Sequence, residues 1–169
     1  MFVPKKTVGQ MVEAAKQRIE NLSNEQLRAE MARGDVQILD IRDVRERQKL
    51  GFIPGSLHVP RGMLEFWLDP TSQYYSGKVD PEKRIVLHCA GGHRSALAAD
   101  VLREMGFPNV AHLEPGFNGW AEAGLPVEGG EAEEGLTAAQ KRQPPRRFYD
   151  ASSFQITIPV PDRHAIAGM

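Results

Sequence analysis

Cys89 is the single cysteine of the chain, and an arginine, Arg94, follows five residues later. Between them lie Ala90, Gly91, Gly92 and His93, and Ser95 comes next. Small residues let the backbone curl until several N–H groups point into one hollow. A helix starting near Ser95 would add the positive end of its dipole. Arg94 adds a permanent charge with a planar fork of donors. Together these features suit an anion or a thiolate, and they nominate Cys89 as a nucleophile. A lone cysteine is more often a buried apolar filler. Here it stands between an apolar run and a Gly-Gly turn beside an arginine, where packing has little use for a thiol.

The elements around it must carry that loop. Ile85-Val86-Leu87 reads as a short central strand, and Ser95 to Met105 as a helix with Leu97, Ala98, Val101, Leu102 and Met105 on one face, ended by Gly106. The nucleophile therefore falls at the carboxyl end of a strand, where open parallel sheets hold their ligands. Val36–Ile41 predicts a buried strand ending in charge, Leu57-His58-Val59 a weaker one, and Val110–Leu113 another. Ser23 with Gln26 has capping-box spacing and Gly34 is a natural stop, giving a helix over about 23–33. Arg42–Leu50 reads as a loop and short helix, Met63–Leu68 as a helical turn or two, 70–81 as a loop and Asn118–Ala123 as a short helix. Alternating strands and helices predict an α/β domain with a mostly parallel sheet and helices on both faces.

Before this unit, Val8, Met11, Val12, Ala15, Ile19 and Leu22 recur at helical spacing, so residues 1–22 read as an amphipathic helix with Thr7 and Gln10 at its cap. It would pack on the domain or on a second copy of the chain, making a homodimer one expected assembly. After Val127 come Gly129-Gly130 and acidic residues, then the basic cluster Lys141, Arg142, Arg146 and Arg147, then the strand-like Phe154–Val160. Residues 129–169 are read as an extension, linker plus strand.

The 169 residues carry a net charge of −1, which gives no field for nucleic acid or an anionic membrane. The basic cluster lacks interleaved aromatics for base stacking. No apolar run reaches the roughly 18 residues a bilayer requires, and Met1–Gln10 lacks the apolar stretch of a secretory signal. A single thiol is expected to stay reduced in the cytoplasm. One cysteine with scattered histidines makes a poor metal site, so none is assigned. His93 is expected at the pocket rim, His88 buried and neutral, and His58 and His112 away from the loop.

Cys89-Ala90-Gly91-Gly92-His93-Arg94-Ser95 resembles the active-site loop of rhodanese domains, C-x-x-G-x-R-S. Leu39-Asp40-Ile41-Arg42 with Gly51-Phe52-Ile53-Pro54-Gly55-Ser56 resembles the family's L-[IV]-D-V-R and G-H-I-P-G-A stretches. Leu113–Trp120, closing with Gly124–Val127, resembles its late L-x-G-G-x-x-x-W…G-[LY]-P-V motif. The resemblance spans about 23–128 and implies a five-stranded parallel sheet with helices on both sides. It implies sulfur transfer through a Cys89 persulfide, from a small donor such as thiosulfate to an external thiol or cyanide, with no cofactor. Ala90, Gly91, Gly92, His93, Arg94 and Ser95 would bind substrate, while Asp40 and Arg42 would brace the neighbouring loops. Phe52 stands where the family carries histidine, Pro115 replaces a glycine, and Glu46 is the best match for the acidic residue before G-H-I. Two other readings share this fold: a silent binding or regulatory module, and a phosphatase or arsenate reductase.

Overall fold

The computed structural model describes residues 1–131. The expectations for the basic cluster and for Phe154–Val160 lie outside the described residues. Five parallel strands form one sheet: β1 (Glu20–Leu22), β2 (Val36–Asp40), β3 (Leu57–His58), β4 (Arg84–His88) and β5 (Val110–Leu113), in the order β1-β5-β4-β2-β3. Among the described residues six α-helices accompany them: α1 (Val8–Arg18), α2 (Asn24–Arg33), α3 (Val44–Leu50), α4 (Leu64–Leu68), α5 (His93–Glu104) and α6 (Gly116–Glu122).

The side-chain alternation of the strands divides the core in two. Leu39, Ile85 and Leu87 face one way and pack with Leu64 and Leu68 of α4 and Ala98, Ala99 and Leu102 of α5. Ile38, Val86, Ala111 and Leu113 face the other way, onto Leu27 of α2 and Phe117 and Trp120 of α6. A central strand covered on both faces has no polar side to show, which is why β2 and β4 read as near-continuous apolar runs. Phe117 and Trp120 are each 1% exposed. Burying a side chain of that size stabilises the fold by about 2–3 kcal/mol.

One expected element is corrected. The helix read over 1–22 stops at Arg18, and Glu20–Leu22 form the edge strand β1 beside β5. Asn21 decides this locally, because its Nδ2 donates to the Lys16 and Ile19 carbonyls where the helix ends. Leu22 therefore joins the sheet core rather than the helix stripe. Val12 and Ala15 are the buried positions of α1, which lies along α5 and is tied to it by Arg18 Nη2–Asp100 Oδ2 at 2.6 Å.

The remaining boundaries move by a residue or two. α5 starts at His93, directly after Gly92 in the left-handed region, and α6 starts at Gly116. Asp43 and Glu46 make the capping box that turns the charged 42–50 stretch into α3. The 70–81 loop is held by a paired contact, Gln37 Nε2 donating to the Asp80 carbonyl at 2.9 Å and Asp80 N donating to Gln37 Oε1 at 2.8 Å. Glu128 and Phe52 exchange two backbone hydrogen bonds of 2.8 and 2.9 Å, so the chain past Val127 turns back onto the domain.

Candidate active site

Cys89 follows the last residue of β4 and is 1% exposed. Its sulfur accepts the Gly92 N–H at 3.2 Å and lies 3.6 Å from Ser95 Oγ. The first-turn amides of α5 have no carbonyl one turn earlier to bond, and a helix start of this kind favours an anion. Gly92 makes the turn possible. Its φ is +87°, and a Cβ there would strike the Glu114 carbonyl. Gly91 has open space around it and ordinary dihedrals, so it lines the loop without being required by its shape.

The outer side of the loop is clamped by α6. Phe117 N donates to the Cys89 carbonyl at 2.8 Å, and Asn118 N donates to the Ala90 carbonyl at 3.0 Å. Gly116 lies so close to Ala90 that a Cβ would overlap its carbonyl. With those carbonyls drawn outward, the amides are left pointing inward, as a cradle for an anionic sulfur requires. Pro115 occupies the position before this contact at no cost, since Gly116 makes the close approach.

Beneath the loop, Asp40 and Arg42 form a buried ion pair. The Arg42 guanidinium is fully buried and donates twice to Asp40, at 2.9 and 2.7 Å, and to the Gly51 carbonyl at 2.7 Å. It lies 3.9 Å above the Phe117 ring. Burial would push the Asp40 carboxyl up, but the Arg42 hydrogen bonds outweigh it and hold the group down at about 2. His88 is neutral because burial lowers it to about 4. Its Nδ1–H donates to the Cys89 carbonyl at 3.2 Å, and its ring stacks on Phe117.

Arg94 differs from the simplest expectation. Both arms of its fork lie on Glu46 of α3, at 2.9 and 3.0 Å, with the side chain 43% exposed. This pair links the nucleophile loop to α3 and holds the guanidinium beside the sulfur. The hydrogen bond to Glu46 first, and the nearby thiol last, raise Arg94 above its usual value. Phe52 does not enter the loop. Its ring lies under Arg47, 3.9 Å from the guanidinium carbon. His93 is exposed.

His112 is the residue that sequence reasoning placed elsewhere, and Asn21 fell unnamed within the helix read over 1–22. The β4–β5 register sets His112 beside Leu87, and β1–β5 sets Asn21 beside His112. His112 Nδ1 lies 3.0 Å from Ser95 Oγ and its Nε2 lies 2.8 Å from Asn21 Oδ1. A fully buried histidine on a strand of a parallel sheet was the available signal. Strand order, which a spacing pattern does not carry, was needed to use it.

Two surface hollows, of about 340 and 380 Å³, lie away from this loop. One is lined by the Arg84–Glu30–Glu20 ion-pair network, the other by Arg47, Phe52 and His58. Neither is lined by Cys89.

The sheet and the cysteine loop define a rhodanese-type domain. Residues 23–123 match the rhodanese-like domain, and the chain belongs to that family. The rhodanese domain-containing protein CG4456 of Drosophila melanogaster is 31% identical over 93 residues, covering 52% of this chain and 84% of that protein. The dual specificity phosphatase Cdc25 of Arabidopsis thaliana is 34% identical over 104 residues, 56% of this chain and 68% of that one. A solved protein of unknown function from Rhodopseudomonas palustris, described as a possible tyrosine phosphatase, is 42% identical with a TM-score of 0.69 and covers 76% of this chain and 98% of its own. The polysulfide-sulfur transferase homodimer of Wolinella succinogenes is 31% identical with a TM-score of 0.60, covering 75% of this chain and 90% of that one. Among the described residues, no helix is long and apolar enough to cross a membrane.

Proposed function

We propose that the protein is a sulfurtransferase that carries sulfane sulfur on Cys89. The observation that carries this reading is the Gly92 N–H on the Cys89 sulfur, 3.2 Å away, inside a loop with four residues between cysteine and arginine. Thiolate Cys89 attacks the outer sulfur of a donor such as thiosulfate. A new S–S bond forms, the old S–S bond breaks, and sulfite leaves with its electron pair. The loop amides hold the resulting persulfide anion, and Arg94, held by Glu46, faces the incoming donor. An acceptor nucleophile then takes the outer sulfur and returns the Cys89 thiolate, so one hard transfer becomes two easier ones. With a single cysteine in the chain, no internal thiol can resolve the persulfide, so the acceptor comes from outside. A nucleophile only 1% exposed suits small donors and acceptors. A cytoplasmic location and a homodimer both fit this reading, the latter by likeness to the Wolinella protein.

Phosphate-ester hydrolysis is the second reading, favoured by the likeness to the Arabidopsis phosphatase and the Rhodopseudomonas protein. The loop length argues against it. A C-x5-R loop wraps a tetrahedral phosphate, and this loop is one residue shorter. Misplacing a reacting centre by about 1 Å costs on the order of 100-fold in rate. A thiosulfate:cyanide assay run beside an aryl-phosphatase assay separates the two. Sulfur transfer lost in Cys89→Ser with negligible phosphatase turnover supports sulfur chemistry. Robust phosphatase turnover lost in the same variant assigns the protein to the second class.

A further inference from the structure

The thiol at the end of β4, Ser95 of α5, His112 of β5 and the half-buried Asn21 of β1 form one unbroken hydrogen-bonded chain. Asn21 fixes its polarity. Its Nδ2 is committed to two carbonyl oxygens, of Lys16 and Ile19, at 3.0 and 3.2 Å. Its Oδ1 therefore faces His112 Nε2, which must carry a hydrogen to donate across 2.8 Å. The neutral ring then has a lone pair on Nδ1 and accepts the Ser95 hydroxyl at 3.0 Å. That leaves a Ser95 oxygen lone pair for the Cys89 thiol hydrogen, 3.6 Å away. Every hydrogen in the chain points away from sulfur, through Ser95 and His112 toward Asn21.

We propose that His112, acting through Ser95, is the internal acceptor of the Cys89 thiol proton. The thiol proton passes to Ser95 Oγ as the Ser95 hydroxyl proton passes to His112 Nδ1. The products are a thiolate receiving the Ser95 O–H and the Gly92 N–H, and an imidazolium donating to Ser95 Oγ and Asn21 Oδ1. Two protons each move one step, the net result is one proton carried from sulfur to His112, no electron is gained or lost, and all the hydrogen bonds of the chain are retained with those at Ser95 reversed. Without the shift, a thiolate could take the Ser95 hydroxyl only by orphaning a buried Nδ1, which is unfavourable. His112 is a positioning residue in this scheme, since Ser95 alone touches the sulfur.

The charges around the relay are few. Lys16 of α1 opposes a charged His112, and Glu114 at the end of β5 favours one. Arg94 of α5 faces the sulfur, and His88 precedes it in neutral form. Burial first, then Lys16, lowers His112 to about 4 while the thiol is intact, so the ring starts as an acceptor. The thiolate, one hydroxyl away, supplies the counter-charge once it forms.

The inference rests on the sulfur-transfer reading only in naming what the thiolate is for, and its test needs neither donor nor acceptor. The rate of iodoacetamide alkylation of Cys89 is followed against pH in the reduced full chain, for wild type, Ser95→Ala, His112→Gln and the double variant. Glutamine keeps an acceptor but cannot take the proton. The relay requires the alkylation midpoint to rise by about one pH unit or more in each single variant, and no further in the double variant. Unmoved midpoints, or shifts that add in the double variant, overturn it. A melting temperature lowered in His112→Gln with its midpoint unmoved makes the histidine merely structural and overturns it too. Where His112→Gln does not fold, Ser95→Ala decides alone, and an unchanged midpoint overturns the relay. An intact relay beside failed sulfur transfer sinks the functional reading alone.

Discussion

Arg94 has both arms on Glu46 and still borders the sulfur, so it acts as a hinge pin between α3 and the nucleophile loop. A lysine keeps the charge there but cannot make two parallel hydrogen bonds to one carboxylate. The pair is partly exposed, so its loss should cost little stability. Arg94→Lys is therefore expected to lower sulfur transfer at least tenfold while its melting temperature stays near wild type. Unchanged steady-state kinetics in that variant would reduce Arg94 to a surface charge. Asp40 and Arg42 belong to a different class. They touch no reacting group, and their role is to hold the ends of β2 and the 51–56 turn together beneath the loop.

At the scale of elements, the loop is shaped by the junction of β4, α5 and α6, and its two glycines are not equivalent. Gly92→Ala forces a Cβ onto the Glu114 carbonyl at a φ of +87°, whereas Gly91→Ala meets nothing within 4 Å. Gly92→Ala is expected to lose sulfur transfer and to cost about 1–3 kcal/mol or more in urea unfolding, with Gly91→Ala near wild type in both. Equal effects at both positions would show that the junction does not set the loop's shape. The strand-turn-helix around Cys89 was legible from residues alone, because β4 is apolar on both faces and Gly92 marks a turn. The Asp40–Arg42 brace was legible through the family's motif. The edge strand β1 was not, because three residues are too few to show alternation and Ile19 and Leu22 happen to extend the helical stripe. The Arg94–Glu46 pair and the His112–Ser95 contact stayed hidden for another reason: each joins elements whose adjacency is set by strand order.

The whole molecule combines these parts with two consequences for stability and one for sulfur. Histidines of the unfolded chain take up protons as pH falls through about 6.5. While the Cys89 thiol is intact, folded His88 and His112 refuse them until about 4, in both cases chiefly because burial disfavours the charged ring. The unfolded state thus binds more protons in that window, and stability must fall with pH across it. Asp40 extends the loss: its contribution is complete above about 3.9 and disappears as pH falls to about 2. The melting temperature should be level above pH 7 and decline below about 6.5; a level trace down to pH 4 would contradict the buried neutral histidines. The second consequence concerns extent. Glu128 is bonded to Phe52, and Gly129 and Gly130 press against Gly51, so the catalytic unit is proposed to end just beyond them. A chain ending at Glu134 should keep its urea midpoint and its sulfur transfer, and unfolding on truncation would put the remaining residues in the core or in an obligate interface. The central claim is the persulfide itself. Intact-mass measurement of the full chain after thiosulfate treatment should show one added sulfur atom, removed by a reductant and absent from Cys89→Ser. No added sulfur on the wild type, or equal addition to both proteins, would contradict it.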